Sequence, residues 1–89
     1  MIDNFKVHIK NSAKSDLKKI RNSNLKEQFD EVILQLKRNP YETNQGFEKL
    51  NPKHLGRYSR RINVQHRVVY TVNDDTQEVN IYSAWSHYE

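Results

Sequence analysis

The sequence predicts an α+β fold, in which one twisted sheet is covered on one face by two helices. Three observations predict it: an alternating stretch near the N-terminus, two stretches of helical periodicity after it, and a series of strand-like stretches towards the C-terminus. The C-terminal strands are expected to form an antiparallel three-stranded meander, which the N-terminal strand extends to a four-stranded sheet. The two helices form an antiparallel hairpin whose apolar faces need that sheet as a cover.

The N-terminal stretch Phe5–Lys10 alternates apolar and polar residues, as a half-buried strand does. His8 lies on its polar side, where we expect it to be solvated. Ser12 follows as a candidate cap of the first helix, and Asp16 suits the positive end of the helix dipole. The apolar stripe of this helix consists of Ala13, Leu17 and Ile20.

A second helical stripe follows the polar break Asn22–Asn24. Its apolar residues share one face of a helix. They are Leu25, Phe29, Val32, Ile33 and Leu36. Asn24 with Glu27 resembles a capping box, and Pro40 ends the helix because the residue before a proline avoids helical geometry.

The segment 40–56 is predicted to be irregular, since it combines prolines and glycines with many polar residues. Phe47 and Leu50 bracket Glu48 in this segment. We expect the two apolar side chains to attach the segment to the core, which would hold Glu48 in a fixed place.

Three strand candidates follow, separated by two turn-like stretches that are rich in polar residues. The strands are predicted at about 58–63, 67–72 and 79–83 or beyond, and the turns at 63–66 and 73–76. These strands form the expected meander, whose register depends on the lengths of the turns.

Length and composition indicate the class of protein. The chain has 89 residues, so we expect a single domain that spans residues 1–89. It has no cysteine, which excludes disulfides and thiolate metal sites. The apolar runs are too short for a membrane span, and the N-terminus lacks a secretory pattern. A cytoplasmic location is therefore expected.

Positive charge is concentrated in one block of the chain. Residues 49–67 contain six cations and no acid. Arginine binds phosphate through a planar, permanently charged fork, so an arginine-rich pair of strands favours an anion-binding surface. By strand parity, Arg61 and Arg67 both point away from the core on adjacent strands. The alternative interpretation is a basic face that is merely solvated.

The sequence lacks several familiar sites. Two glycines cannot form a glycine-rich phosphate loop. The four histidines do not have the spacing of metal ligands, so no cofactor and no metal ion is expected.

A set of residues that can cleave RNA without a metal ion is present. A ribose 2′-hydroxyl must lose a proton, the phosphorane must be stabilised, and the departing 5′-oxygen must gain a proton. The residues whose chemistry suits these roles are Glu48, Arg61, Arg67 and His87. Tyr88 can stack on a base, whereas Trp85 is expected to anchor the C-terminal strand by packing.

Several segments together resemble the YoeB toxins, which are RelE-like mRNA interferases of bacterial type II toxin–antitoxin systems. These segments are Asn39–Tyr41, Phe47–Leu50, Tyr58–Ile62, His66–Tyr70 and the terminal pair His87–Tyr88. The likeness extends over essentially the whole chain. It implies a RelE-like fold, similar to that of small microbial ribonucleases, and cleavage of mRNA in the ribosomal A site without a metal ion.

The resemblance also implies a role for each matching residue. Glu48 would be the general base and His87 the general acid. Arg67 would stabilise the phosphorane, and Arg61 would help to bind phosphate. Tyr88 would orient the substrate or stack on a base.

Lys49 and Arg60 are further candidates for contacts with the RNA backbone. The resemblance implies mRNA on the ribosome and a cognate antitoxin protein as partners, and a homodimer as a possible assembly. Glu89, which follows the His-Tyr pair, departs from the family pattern. Two other functions stay open at this point: a non-catalytic toxin that binds a protein target such as gyrase, and a simple RNA-binding module.

Overall fold

The structure, a computed structural model, describes residues 5–86, with only the backbone of Ser86. The helices are α1 (Lys14–Arg21), which a short 3₁₀ turn precedes, and α2 (Lys26–Arg38). The strands are β1 (Lys6–Ile9), β2 (Glu48–Lys49), β3 (Arg57–Arg61), β4 (Arg67–Asn73) and β5 (Glu78–Ser86). Within the described range, no helix is long and apolar enough to cross a membrane.

The strands form one five-stranded sheet in the order β1-β5-β4-β3-β2. Strands β3, β4 and β5 are an antiparallel meander, and β1 joins its edge parallel to β5. The predicted α+β fold is thus confirmed. The added strand is β2, which lies in the segment that was expected to be irregular. Two residues are too few to show a period of two, so the sequence pattern could not reveal this strand.

The core lies between the two helices and one face of the sheet. Its buried apolar residues come from both layers. They are Ala13, Ile20, Leu25, Phe29, Val32, Leu36, Ile62, Val68, Tyr70, Val79, Ile81 and Ala84. Because side chains alternate along a strand, the other face of the sheet is available to polar residues. We call this second face the open face.

Polar residues of α1 and of the 3₁₀ turn before it attach the helix to β5. The hydroxyl of Ser12 donates to the carbonyl oxygen of Tyr82 at 2.7 Å, and Asp16 accepts from the backbone N–H of Ala84 at 3.0 Å. Neither side chain serves as the helix cap, because the N-cap residue of α1 is Ala13 and its side chain makes no capping bond. The prediction that Ser12 caps the helix is therefore wrong.

The start of α2 also differs from the sequence pattern. Leu25 is its N-cap residue, and the backbone N–H of Leu25 donates to the hydroxyl of Ser23 at 3.1 Å. The expected capping box of Asn24 and Glu27 is therefore wrong, because the N-cap residue is Leu25 and its side chain makes no capping bond. Leu25 is 8% exposed and belongs to the core.

Arg60 is a cation in the interior of the protein, with 0% of its surface exposed. Its Nη2 atom donates to the carbonyl oxygens of Pro40 and Glu42 at 3.0 and 2.7 Å. Its Nη1 atom donates to the carbonyl oxygen of Asn44 at 3.0 Å, and its Nε atom to the hydroxyl of Tyr70 at 3.1 Å. The expectation that Arg60 contacts the RNA backbone is corrected here, because its guanidinium is buried and bonded to the protein.

Replacing Arg60 by Met removes the guanidinium and keeps an unbranched apolar side chain. The carbonyl oxygens that it serves then lose their donor in a buried place, which costs about 1–3 kcal/mol for each unsatisfied group. We expect Arg60→Met to lower the free energy of unfolding in urea by about 3 kcal/mol. Arg61→Met is the matched control on the exposed face and should lose less than about 1 kcal/mol. Equal losses in the two variants would contradict this assignment.

Burial raises the pKa of Tyr70 to about 12, although the charge and hydrogen bond of Arg60 act in the opposite direction. A raised pKa in the folded state means that the stabilisation is complete below the unfolded pKa of about 10 and is lost as the pH rises through the folded value. We expect stability to fall between about pH 10 and pH 12, and less steeply in Tyr70→Phe.

The control for this pH series is Tyr82→Phe, since Tyr82 is 39% exposed. Tyr41, whose pKa is also raised, first by burial and then by its hydrogen bond to Asp74, titrates in every variant. The comparison between the two tyrosine variants therefore isolates Tyr70. If both variants lose stability with the same slope, the alkaline transition has another origin.

Candidate functional site

The two arginines that parity assigns to the open face lie side by side. Arg61 is the last residue of β3, and it pairs with Arg67, the first residue of β4. Directly paired residues share a face of the sheet, so both guanidinium groups project from the open face. Two like charges directly opposite each other repel. The pair therefore favours a counter-ion, and Glu48 supplies one.

Glu48 reaches this place from β2. It pairs with Ser59 across the sheet, which directs its side chain towards the open face. The Oε1 atom of Glu48 lies 2.7 Å from the Nη1 atom of Arg67. The carboxylate side chain is 58% exposed and that of Arg67 is 20% exposed. Glu48 is thus accessible to a ligand, whereas Arg67 is held deeper in the surface.

Aromatic packing holds the segment before Glu48. The ring of Phe47 stacks on Tyr58 with 5.6 Å between the ring centroids, and the guanidinium carbon of Arg60 lies 5.0 Å from the centre of Phe47. The expected attachment of Phe47 to the core is confirmed. Leu50 is held through its backbone N–H, which donates to the carbonyl oxygen of Arg57 at 2.9 Å.

A tight turn at Gln45 and Gly46 positions Arg61. Both residues have positive φ angles, 53° and 64°. The carbonyl oxygen of Gln45 accepts from the backbone N–H of Arg61 at 2.7 Å. A Cβ atom on Gly46 would lie 2.8 Å from the Cγ and Cδ atoms of Arg61, which is closer than such atoms approach. The absence of a side chain on Gly46 is therefore required for the observed place of Arg61.

Sequence reasoning does not identify two residues of this site. Ser59 lies beneath the ion pair with 1% of its surface exposed, and its hydroxyl is 3.5 Å from the Nη1 atom of Arg67. Its parity with Arg61 is the signal that could have placed it on this face. Gly46 is the other, and its signal is a glycine between a polar residue and an anchored aromatic residue.

The structure does not place the other predicted site residues beside Glu48 and the two arginines. Lys49 is exposed, and it pairs with Tyr58, so it lies on the opposite side of β2 from Glu48. His87 and Tyr88 lie outside the described residues. In the sequence they follow Ser86, whose backbone pairs with Arg67.

The described arrangement can bind an anion and can accept a proton at adjacent points. The guanidinium groups supply a fixed positive charge, since arginine is protonated throughout the accessible pH range. The exposed carboxylate supplies a base within the reach of whatever the arginines hold. Among residues 5–86, no group of three or more histidine, cysteine or acidic side chains could hold a metal ion.

Comparisons with known proteins give consistent results. A family model described as a YoeB-like toxin of a bacterial type II toxin–antitoxin system matches residues 9–88. Comparison with curated proteins finds no match. A solved YoeB/ParE toxin from Agrobacterium tumefaciens is 27% identical, with a TM-score of 0.83, over 94% of this chain and 100% of the other.

Two further proteins extend the comparison. YoeB from Staphylococcus aureus is 32% identical over 96% of this chain and 99% of its own. Its structure as a dimer has a TM-score of 0.81, and its structure in a heterotetrameric complex with YefM has one of 0.77. An archaeal RelE–RelB complex from Pyrococcus horikoshii OT3 provides a chain with 20% identity and a TM-score of 0.74, over 93% of this chain and 94% of that one. At that identity, the likeness shows the fold alone.

Gly46→Ala tests whether the turn positions Arg61. Gly56→Ala is a matched control, because Gly56 also has a φ of 64° but has open space where a Cβ would lie. Each substitution should cost about 1–2 kcal/mol of stability, since alanine resists the left-handed region. We expect Gly46→Ala alone to weaken the binding of a 2′-O-methyl RNA oligomer, by about tenfold, as for the loss of one charged hydrogen bond. Fluorescence anisotropy measures this binding, and equal affinities would show that Arg61 does not depend on the turn.

Proposed function

This chain belongs to the YoeB-like toxins of bacterial type II toxin–antitoxin systems, and we propose that it is a ribosome-dependent mRNA endoribonuclease that inhibits translation. The observation that carries the proposal is the contact of 2.7 Å between Glu48 and Arg67, with Arg61 paired beside it. Cleavage through a 2′-hydroxyl requires a base close to cationic groups that bind the phosphate, and Glu48 and the two arginines meet this requirement.

In the proposed reaction, Glu48 takes the proton of the ribose 2′-hydroxyl, and the 2′-oxygen attacks the adjacent phosphorus. The bond between phosphorus and the 5′-oxygen then breaks. His87 donates a proton to that leaving oxygen, so the products are a 2′,3′-cyclic phosphate and a 5′-hydroxyl. Arg67 stabilises the additional negative charge of the phosphorane. Side chains perform every step, and the proposed reaction is therefore independent of a metal ion.

The ion pair of the resting site suits this reaction. The carboxylate of Glu48 is 58% exposed, and solvent screens an ion pair with an accessible partner, so an incoming phosphate can compete with it for the guanidinium of Arg67. When the phosphate takes the place of the carboxylate, an oxygen of Glu48 becomes available to the 2′-hydroxyl. The ion pair thus holds Glu48 and Arg67 in position before the substrate arrives. When the substrate binds, the pair separates, so that Arg67 holds the phosphate and Glu48 faces the 2′-hydroxyl.

Other residues have supporting roles in the proposal. Arg61 binds the phosphate beside Arg67, in keeping with its exposed place on the open face. Tyr88 stacks on a base or orients the substrate, as the family resemblance implies. Lys49 is exposed on the edge strand but lies on the opposite side of β2 from Glu48, so its proposed contact is with RNA backbone that extends past the edge of the sheet.

We propose a cognate antitoxin protein as a second partner. YoeB from Staphylococcus aureus forms a complex with YefM and also a dimer, which supports both an antitoxin and a homodimer for this chain. An acidic segment of the antitoxin would neutralise the arginines of the open face. The proposed substrate, mRNA in the ribosomal A site, implies a cytoplasmic location.

Glu48→Gln keeps the size of the side chain and removes the base. We expect it to slow cleavage about a hundredfold to ten-thousandfold, the range for loss of a general base. Arg67→Met should slow cleavage about a hundredfold to a thousandfold, because it removes the stabilisation of the phosphorane. His87→Ala tests the proposed acid. The measurement maps the 5′ ends of mRNA in a translating extract.

Glu31→Gln is the matched control for Glu48, since Glu31 is an exposed acid on α2. It should cut as the parent does. If the Glu48 and His87 variants also cut as well as the parent, the assigned roles are wrong. Inhibited DNA supercoiling with intact mRNA would indicate a toxin that binds a protein target. Salt-sensitive RNA binding without cleavage would indicate a simple RNA-binding module.

A further inference from the structure

A second concave surface lies on the helix side of the sheet, at the end where β4 begins, and has no role in the proposed reaction. It is a cavity of about 480 Å³, within the range of about 300–1,000 Å³ that is usual for small-molecule sites. The turn between α1 and α2 forms one side, and the turn between β3 and β4 forms the other. Trp85 of β5 contributes to its lining.

An aromatic stack forms part of this lining. The rings of His66 and Trp85 lie 4.0 Å apart at 20° to each other, so they are nearly parallel. His66 is 7% exposed, and its Nδ1 atom is buried with no hydrogen-bond partner in the described part of the chain. A buried polar atom without a hydrogen-bond partner is rare, and a functional role is one of its recognised explanations. Aromatic rings pack favourably on one another in stacked or edge-to-face geometry, so a planar ring that carries polar groups can pack against this surface.

Amide side chains surround the cavity. The side-chain oxygen of Asn63 is already engaged within its turn. Its Oδ1 atom accepts from the backbone N–H groups of Gln65 and His66 at 2.9 and 2.7 Å. Asn24 and Gln65 are exposed on opposite sides of the cavity, one on each turn. An amide both donates and accepts hydrogen bonds, as the edge of a nucleobase does.

The described lining favours an uncharged ligand. Among the residues that the structure describes, the cavity lining includes no lysine, arginine, aspartate or glutamate, so these residues do not supply the charges that a phosphate or a hard metal ion requires. An uncharged heteroaromatic ring matches both the stack and the amides.

The cavity and the arginines are neighbours along the chain, although they lie on opposite faces of the sheet. His66 lines the cavity, and Arg67 is the next residue; Trp85 lines it too, and the following residue, Ser86, pairs with Arg67. We propose that the cavity is a nucleobase subsite, in which an unpaired base of the RNA held by Arg61 and Arg67 stacks beside Trp85. Asn24 and Gln65 are the specificity-determining residues of this subsite. The inference rests on the proposed function, because it assumes that the open face binds RNA.

Trp85 is the only tryptophan of the chain, so its fluorescence reports directly on the subsite. The probes are trinucleotides of each of the four bases with 2′-O-methyl riboses, which cannot be cleaved because they lack the attacking hydroxyl. We expect saturable quenching that depends on the base. An abasic trimer with the same phosphates should give no such quenching. Absence of saturable quenching, or equal quenching by the abasic trimer, overturns the inference.

Asn24→Ala and Gln65→Ala should each raise the dissociation constant of the preferred trinucleotide by about threefold to tenfold, the loss expected for one neutral hydrogen bond. Gln28→Ala is the matched control, because Gln28 is an exposed amide of α2 outside the cavity lining. If the two cavity variants bind as the control does, the amides do not read the base and the inference is wrong.

Mapped cleavage sites separate this inference from the proposed function. Cleavage by the parent without any trinucleotide quenching would overturn the subsite and leave the endoribonuclease intact. Quenching without ribosome-dependent cleavage would leave the subsite intact and overturn the endoribonuclease. If both proposals hold, Asn24→Ala and Gln65→Ala change the base preference around the cut, whereas Gln28→Ala keeps the preference of the parent.

Discussion

The buried guanidinium of Arg60 is the interaction on which the site depends. A charge in the interior is tolerated only when hydrogen bonds replace its water, and here carbonyl oxygens of Pro40, Glu42 and Asn44 do so. These three carbonyls come from one irregular segment, which has little regular secondary structure to fix its path. The cation therefore orders the segment from within. Because β2 follows that segment directly, the position of Glu48 depends on a residue that never touches the open face.

The neighbouring arginines of β3, Arg60 and Arg61, serve two purposes because side chains alternate between the two faces of the sheet. Arg60 points into the core, and Arg61, the next residue, points to the open face. The inner arginine fixes the loop, and the same loop, through Gly46, fixes the outer arginine. The outer ion pair of Glu48 and Arg67 has an exposed carboxylate, so solvent weakens it. Strong bonding thus holds the loop, and weaker bonding lies where the proposed phosphate would compete.

The sequence predicts the parts of this arrangement that follow from local periodicity. Both helices, the meander and the shared face of Arg61 and Arg67 follow from apolar spacing and strand parity. The role of Arg60 does not, because its parity indicates only that it faces the helices. A cation on that side is expected to be rare, and its partners are carbonyl groups distant in sequence, which leave no side-chain signal. The resemblance to a family suggested a contact for Arg60 that its burial rules out.

The proposed nucleobase subsite also constrains the form of the RNA. His66 lines the cavity, whereas the adjacent Arg67 belongs to the open face. A bound RNA strand must therefore pass around the end of β4. In an A-form duplex the bases are stacked and paired, and the deep, narrow major groove hides their edges. A base can reach the cavity beside Trp85 only when it is unpaired and turned out of a stack. The phosphates on the arginines and the base in the cavity therefore together require a single-stranded substrate, such as mRNA before it pairs with an incoming tRNA.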